Sequence, residues 1–208
     1  PARDGQYKAQ LFSQGGALEL YVARQGRFNV EGYVGLESLA RSVDSRQFRR
    51  TLDLAHPQVQ TLLASIGRIK GYDVCVPEAD IGKLDWSLTA RFDLRRSIPA
   101  SFARIRNTLA EIDVVWLAAG RDDIAGLFEV EHSTPIYSGL LRFNDVLLSE
   151  PGVSRFSIVS NDNRRELFSR QVFRPTFQRS GLSERVSFLE YANVLDWHTR
   201  LCRGRADV

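Results

Sequence analysis

Apolar positions from His56 onward fall into alternating helical and extended runs. Val59, Leu62, Leu63, Ile66 and Ile69 recur at the i, i+3, i+4, i+7 spacing of a helix face, behind a Pro57 suited to the first helical turn. Gly71 stands where a residue just past a helix end is expected. YDVCVP (72–77) follows as a strand, then a polar, Arg-rich excursion (78–99) with a strand expected at SLTARFDL (87–94). Ser101 is placed to cap a helix over SFARIRNTLAEI. IDVVWLA (112–118) and AGLFEVEHS (125–133) read as paired strands joined by the turn residues GRDD. Pro135 opens a helix over IYSGLLRFNDVLLS with Ile136, Leu140, Leu141 and Leu147 inward. RFSIVS (155–160) is a strand, NDNRRELFSRQVF a helix and VSFLEYANVL (186–195) a last strand. This alternation implies an α/β domain with a central mixed sheet flanked by helices.

Residues 1–55 read as a separate small α+β extension, and 56–208 as the main domain. ALELYVA (17–23) and RFNVEGYVGL (27–36) have strand character around a turn at Arg24 to Gly26, VGLESLARSV (34–43) has helical spacing, and SRQFRR (45–50) is strongly basic. No internal repeat or low-complexity segment interrupts the chain.

The chemistry concentrates in the paired strands. Period-two alternation puts Glu129 and Glu131 on one face of a strand whose other residues are apolar. Asp113 sits among Ile112, Val114, Val115 and Trp116 on the partner strand. A buried carboxylate must be paired, protonated or bound to a cation, and three converging acids repel one another. A hard divalent cation resolves the conflict, with Mg²⁺ the natural choice and Mn²⁺ its substitute. The other resolution is pairing with arginines from Arg106, Arg121 or Arg142.

Asp113, fifteen intervening residues, then Glu129-Val130-Glu131 resembles the motif of the PD-(D/E)xK nuclease superfamily in its Glu-x-Glu form. The element order of residues 57–160 is similar to that superfamily's α, β, β, β, α, β core. Glu131 replaces the usual Lys, Ile112 replaces the Pro before the Asp, and the helix over 57–69 carries Gln58 and Gln60 but no acid. The resemblance covers about half the chain. It implies a restriction-endonuclease-like fold and a Mg²⁺-dependent DNA endonuclease of a restriction system. Asp113 and Glu129, with the Val130 carbonyl, would be metal ligands, and Glu131 would hold the attacking water. It implies double-stranded DNA as partner and a homodimer, with residues 1–55 a candidate DNA-recognition or dimer element. The alternatives are a catalytically inactive DNA-binding module of the same fold, or a repair or RNA-processing nuclease.

Composition adds little that is specific. Only three of the 28 basic residues are lysine, and arginine's planar fork suits phosphate and guanine contacts as well as it suits a GC-rich genome. Residues 155–185 hold seven arginines against three acids, a solvated face or a DNA-phosphate surface. Arg164, Arg165 and Arg170 are the candidate contacts there, with Arg142 either reaching the scissile phosphate or pairing with Asp145. Phe168, Phe173 and Phe177 read as core, and His132 as structural or solvent-facing, away from the acids. Cys75 reads as a buried thiol. Without a Cys-x-x-Cys pair a zinc site is not expected, and a reducing cytoplasmic setting is. No run is long enough for a membrane helix. The first residues lack the layout of a signal peptide, and Pro1 fits either a removed initiator Met or the cut end of a longer chain.

Overall fold

The computed structural model describes the backbone of Tyr7–Gln14, Ala17–Arg24 and Arg27–Gly35, and residues 54–133 and 135–206. The chain divides into two compact units, Pro1–Arg50 and Thr51–Val208. In the first, β1 (Tyr7–Gln14), β2 (Ala17–Arg24) and β3 (Arg27–Gly35) form an antiparallel sheet in that order. β1 was not anticipated. The helical reading of 34–43 begins inside β3 at residues 34 and 35, and its remainder, like SRQFRR, lies outside the described residues.

The second unit is a mixed α/β fold. Its sheet has the order β4 (Asp73–Cys75), β5 (Val114–Leu117), β6 (Ile124–Val130), β7 (Phe156–Ser160), β8 (Val186–Glu190). The first three strands pair antiparallel and the last two join in parallel. Apolar clusters fill both faces. Val115, Leu117, Leu127 and Ile158 pack on one side against α4 (Ile136–Ser149). Val114, Trp116, Phe128 and Val159 pack on the other against α1 (His56–Ile69) and α7 (Tyr191–Ala206). Strands buried on both faces lose simple alternation, which is why residues 124–128, IAGLF, read as a nearly continuous apolar run.

α1 is buried all round, from Val59 through Gly67. Pro57 opens it and a Schellman pattern closes it. Tyr72 donates its N–H to the Gly67 carbonyl at 3.0 Å and Gly71 donates to Arg68 at 3.0 Å, with Gly71 at φ 84°. Its approach to the sheet depends on Gly67, since a Cβ there would stand 2.5 Å from Trp116 Nε1 and 2.8 Å from Val74 Cγ2. Trp116 Nε1 donates to the Leu63 carbonyl at 3.1 Å, tying the middle of the helix to β5.

Several expected elements differ. SLTARFDL is no strand: a 3₁₀ turn at Trp86–Leu88 leads into irregular chain beside a short α2 (Glu78–Ile81). Arg95 donates one backbone bond to the Val74 carbonyl there, at 2.8 Å, and no ladder of bonds develops. The helix expected from Ser101 is a 3₁₀ segment, Ala100–Ile105, followed by α3 (Arg106–Glu111). Ser101 is not its cap, because its hydroxyl donates to Asp122 Oδ2 in the hairpin loop at 2.9 Å. Leu141 faces outward at 37% exposure while Phe143 takes the core position. After a 3₁₀ turn at Asp162–Arg164 come α5 (Arg165–Val172) and α6 (Pro175–Ser180), with Phe168 and Phe177 buried as expected. The last strand stops at Glu190, the partner of Ser160, where β7 itself ends. With no further strand to pair, Tyr191, Val194 and His198 bury instead at helical spacing. Cys75 is buried, and burial pushes its thiol up to about 11.

Gly67→Ala should therefore destabilise the protein by about 1–3 kcal/mol, because the contacting atoms belong to an anchored indole and a core valine. Urea denaturation of the two proteins measures it, and a midpoint unchanged by the methyl would contradict the close approach.

Candidate active site

The hairpin β5–β6 brings the three acids together by register. Val115 pairs with Leu127 and Val114 with Phe128, so one further step sets Asp113 opposite Glu129, on the sheet face that α4 covers. The loop between the strands turns through Gly120 at φ 70°, and Ala118 donates to the Asp123 carbonyl at 2.9 Å. Glu129 and Glu131 share that face, as period two requires. Both reach α4 at Gly139, where an added Cβ would meet Glu131 Oε1 at 2.9 Å and Glu129 Cβ at 3.2 Å. Glycine at this place lets the helix backbone lie against both side chains, which fill the space a Cβ would take.

Each acid has its own surroundings. Asp113 lies at the mouth with its side chain 15% exposed. Its Oδ2 accepts the Val130 N–H at 2.6 Å and its Oδ1 lies 3.4 Å from His56 Nε2. Val130 therefore turns its N–H towards Asp113. Its carbonyl points to the same edge, because Glu131 takes the opposite one by donating to the Val159 carbonyl at 2.8 Å. Glu131 is 2% exposed. Its own carbonyl accepts from Ser160 Oγ at 2.5 Å and Arg164 Nη1 at 3.1 Å. Glu129 is 1% exposed, and both of its oxygens accept from Arg142 of α4, Nε to Oε1 at 2.6 Å and Nη2 to Oε2 at 2.9 Å.

Burial is the largest influence on Glu129. It raises the carboxyl to about 8 against the opposing hydrogen bonds of Arg142, and the charges of Asp113 and Glu131 push the same way. Arg142 is held more firmly protonated than usual, first by Glu129 and further by Glu131 and Asp113. His56 is raised as well, chiefly by its bond to Asp113.

The arginine pairing anticipated as the alternative is thus present for Glu129, through Arg142 rather than Arg106 or Arg121. Arg142 closes on Glu129 and not on Asp145. Among the described residues no three His, Cys, Asp or Glu side chains stand close enough to hold a metal ion as they are. Arg142 answers Glu129 and His56 stands beside Asp113. Arg165 is occupied by Asp162 at 3.0 Å and by Glu190, and lies over the Phe188 ring. Arg170 is exposed on the last turn of α5. His132 is exposed, with its ring parallel to that of Tyr191.

Two residues of α1 escaped the sequence reading. His56 precedes the helix-opening proline, and Gln60 interrupts the apolar stripe. Gln60 is 1% exposed and donates to the Asp113 carbonyl at 3.0 Å and to Asp80 Oδ2 at 3.4 Å. A polar residue in the middle of an apolar helix was the available signal. A cavity of about 600 Å³ opens at the other end of α1, where Ser65, Arg68, Thr89 and His198 are among the lining residues. It has no carboxylate in its lining, so it offers a hard cation no charged oxygen.

A mixed five-stranded sheet flanked by helices, with an acid cluster at the end of its central hairpin, defines an α/β protein with a charged site at a strand terminus. The model of the type II restriction enzyme NmeDI C-terminal domain matches residues 38–206, and the chain belongs to that family. No curated protein and no solved structure matches it. Among the described residues no helix is long and apolar enough to cross a membrane.

Glu129 gives the site a pH signature. A carboxyl raised above its unfolded value of about 4.5 to about 8 favours folding fully only below 4.5, and that contribution is lost as pH rises through 8. The melting temperature of the native protein should fall relative to Glu129→Gln between pH 5 and 9, by the equivalent of a few kcal/mol at most. A constant difference across that range would mean that Arg142 fully offsets the burial.

Proposed function

We propose that the chain is a Mg²⁺-dependent DNA endonuclease of a restriction system, hydrolysing phosphodiester bonds at Asp113, Glu129 and Glu131. The reading takes the second unit as a restriction-endonuclease-like core of the PD-(D/E)xK type in its Glu-x-Glu form. The observation that carries it is the convergence of these three acids at the end of the β5–β6 hairpin, in a chain of a restriction-enzyme family.

The residues fit a hard cation in kind. They supply carboxylate oxygens and a backbone carbonyl at Val130 turned to the Asp113 edge. Asp113, Glu129 and the Val130 carbonyl would hold Mg²⁺ or Mn²⁺. When bound, such an ion polarises the phosphoryl oxygens, lowers the pKa of a water and offsets charge on the leaving oxygen.

The chain's own residues do the rest. The Glu131 backbone is fixed by Val159, Ser160 and Arg164, and its carboxylate would accept a proton from the attacking water. His56 beside Asp113 is the nearby acid able to return a proton to the leaving oxygen. Water is excluded from Glu129 by the packing of α4, so its charge acts in a low-dielectric setting. Arg170, exposed on α5, and Arg142, at the site mouth, are the candidate phosphate contacts. Arg164 and Arg165, each already bound within the protein, shape the strand end. Double-stranded DNA is the substrate, a homodimer would place one site on each strand, and residues 1–55 would serve recognition or dimer contacts.

The occupation of both Glu129 oxygens by Arg142 favours a second reading, a DNA-binding module that has lost catalysis. A plasmid-nicking assay with Mg²⁺ or EDTA separates the two. Glu129→Ala should lower single-turnover cleavage on the order of 10²-fold with DNA retention kept in a gel-shift assay. Cleavage unaffected by the substitution would remove these residues from the chemistry. Retention without cleavage by the native protein would favour the binding module.

A further inference from the structure

Arg142 stands where a cation is needed and is itself a cation. Its fork takes both oxygens of Glu129, and it rises from the same face of α4 as Gly139, three residues earlier, which lies against Glu129 and Glu131. An ion held by those oxygens would lie within a few ångströms of the guanidinium, and at that separation in a buried setting the two cations repel strongly. Glu129 is enclosed, at 1% exposure, but the Arg142 side chain is 27% exposed and has a path out to solvent. The acid is fixed and the arginine can move.

We propose that Arg142 and the divalent cation are alternative occupants of Glu129, so that cation entry releases Arg142 to a DNA phosphate. This rests on the cation site proposed above. In the free protein the guanidinium neutralises a buried acid that would otherwise stand unpaired. Once released it carries its charge to the mouth of the site, where the lysine expected at position 131 is absent and no lysine follows Lys83. Metal loading and DNA grip are thereby coupled through one side chain, and each should strengthen the other.

Calorimetric titration with Mn²⁺ alone, on the whole chain, tests the exchange. Arg142→Gln should bind Mn²⁺ on the order of 10- to 100-fold more tightly than the native protein, since no charged pair has to be broken first. Arg142→Lys, which keeps a competing charge without the fork, should lie between them and guards against a Gln variant that does not fold. Equal or weaker binding by both variants would overturn the exchange and make Arg142 a clamp that positions Glu129. Absence of Mn²⁺ binding by all three proteins would instead overturn the cation site. The second measurement is the salt dependence of DNA binding with Ca²⁺ or with EDTA. The native protein should show about one more phosphate contact than Arg142→Gln in Ca²⁺ and no difference in EDTA. A difference of the same size in both would also overturn the exchange.

Discussion

The second unit is organised around a carboxylate that its fold forces into the interior. Glu129 lies in β6 between Phe128 and Val130, in a strand covered on both faces, and no reorientation of the strand frees it without exposing Leu127 and its partners. An ionised carboxylate in such a place is costly unless charge and hydrogen bonds answer it. The answer comes from α4, whose Gly139 permits close approach and whose Arg142 supplies two bonds. Helix position, glycine position and strand register are thus conditions of a single interaction.

A buried ion pair of this kind is weak evidence of stability for its own sake, because apolar residues of similar volume would serve a core as well or better. Here the pair also sits beside two further acids, which add repulsion that a merely structural pair has no reason to accept. The local arrangement costs folding free energy, and it lies at the end of strands whose remaining length is apolar. Local conflicts of this sort are expected where function overrides packing.

Much of this was legible in the chain itself. Period two set Glu129 and Glu131 on one face, and the apolar neighbours of Asp113 marked it as an unusual acid. The first helix, the hairpin and α4 were readable from spacing and from the prolines and glycines at their ends. What was not legible depends on partners remote in sequence. Arg142 was one of three arginines weighed for the acids and was also weighed against Asp145, three residues away, because local spacing cannot show that β6 lies beneath the helix. The strand expected over 186–195 failed at Glu190 because β7 supplies no partner beyond Ser160, and pairing length belongs to the neighbour as much as to the strand. SLTARFDL has strand-like residues and no strand to join. His56 and Gln60 became part of the site only when α1 was set against the start of β5.

Glu131 stands where the motif that the hairpin resembles has lysine, and this changes how charge can be managed. A lysine two residues after Glu129 would bring a fixed positive charge on the same strand face, always present and unable to leave. A glutamate there adds a negative charge, and the compensating cation comes from a helix, on a long side chain with one end in solvent. A site built in this way can exist in more than one charge state without moving its backbone, because the mobile charge lies on α4 while the acids stay on the hairpin. Under the proposed reaction, that separation lets a rigid set of oxygens serve first an arginine and then a metal ion. The same rigidity that makes Glu129 expensive to bury keeps its oxygens in place through the exchange.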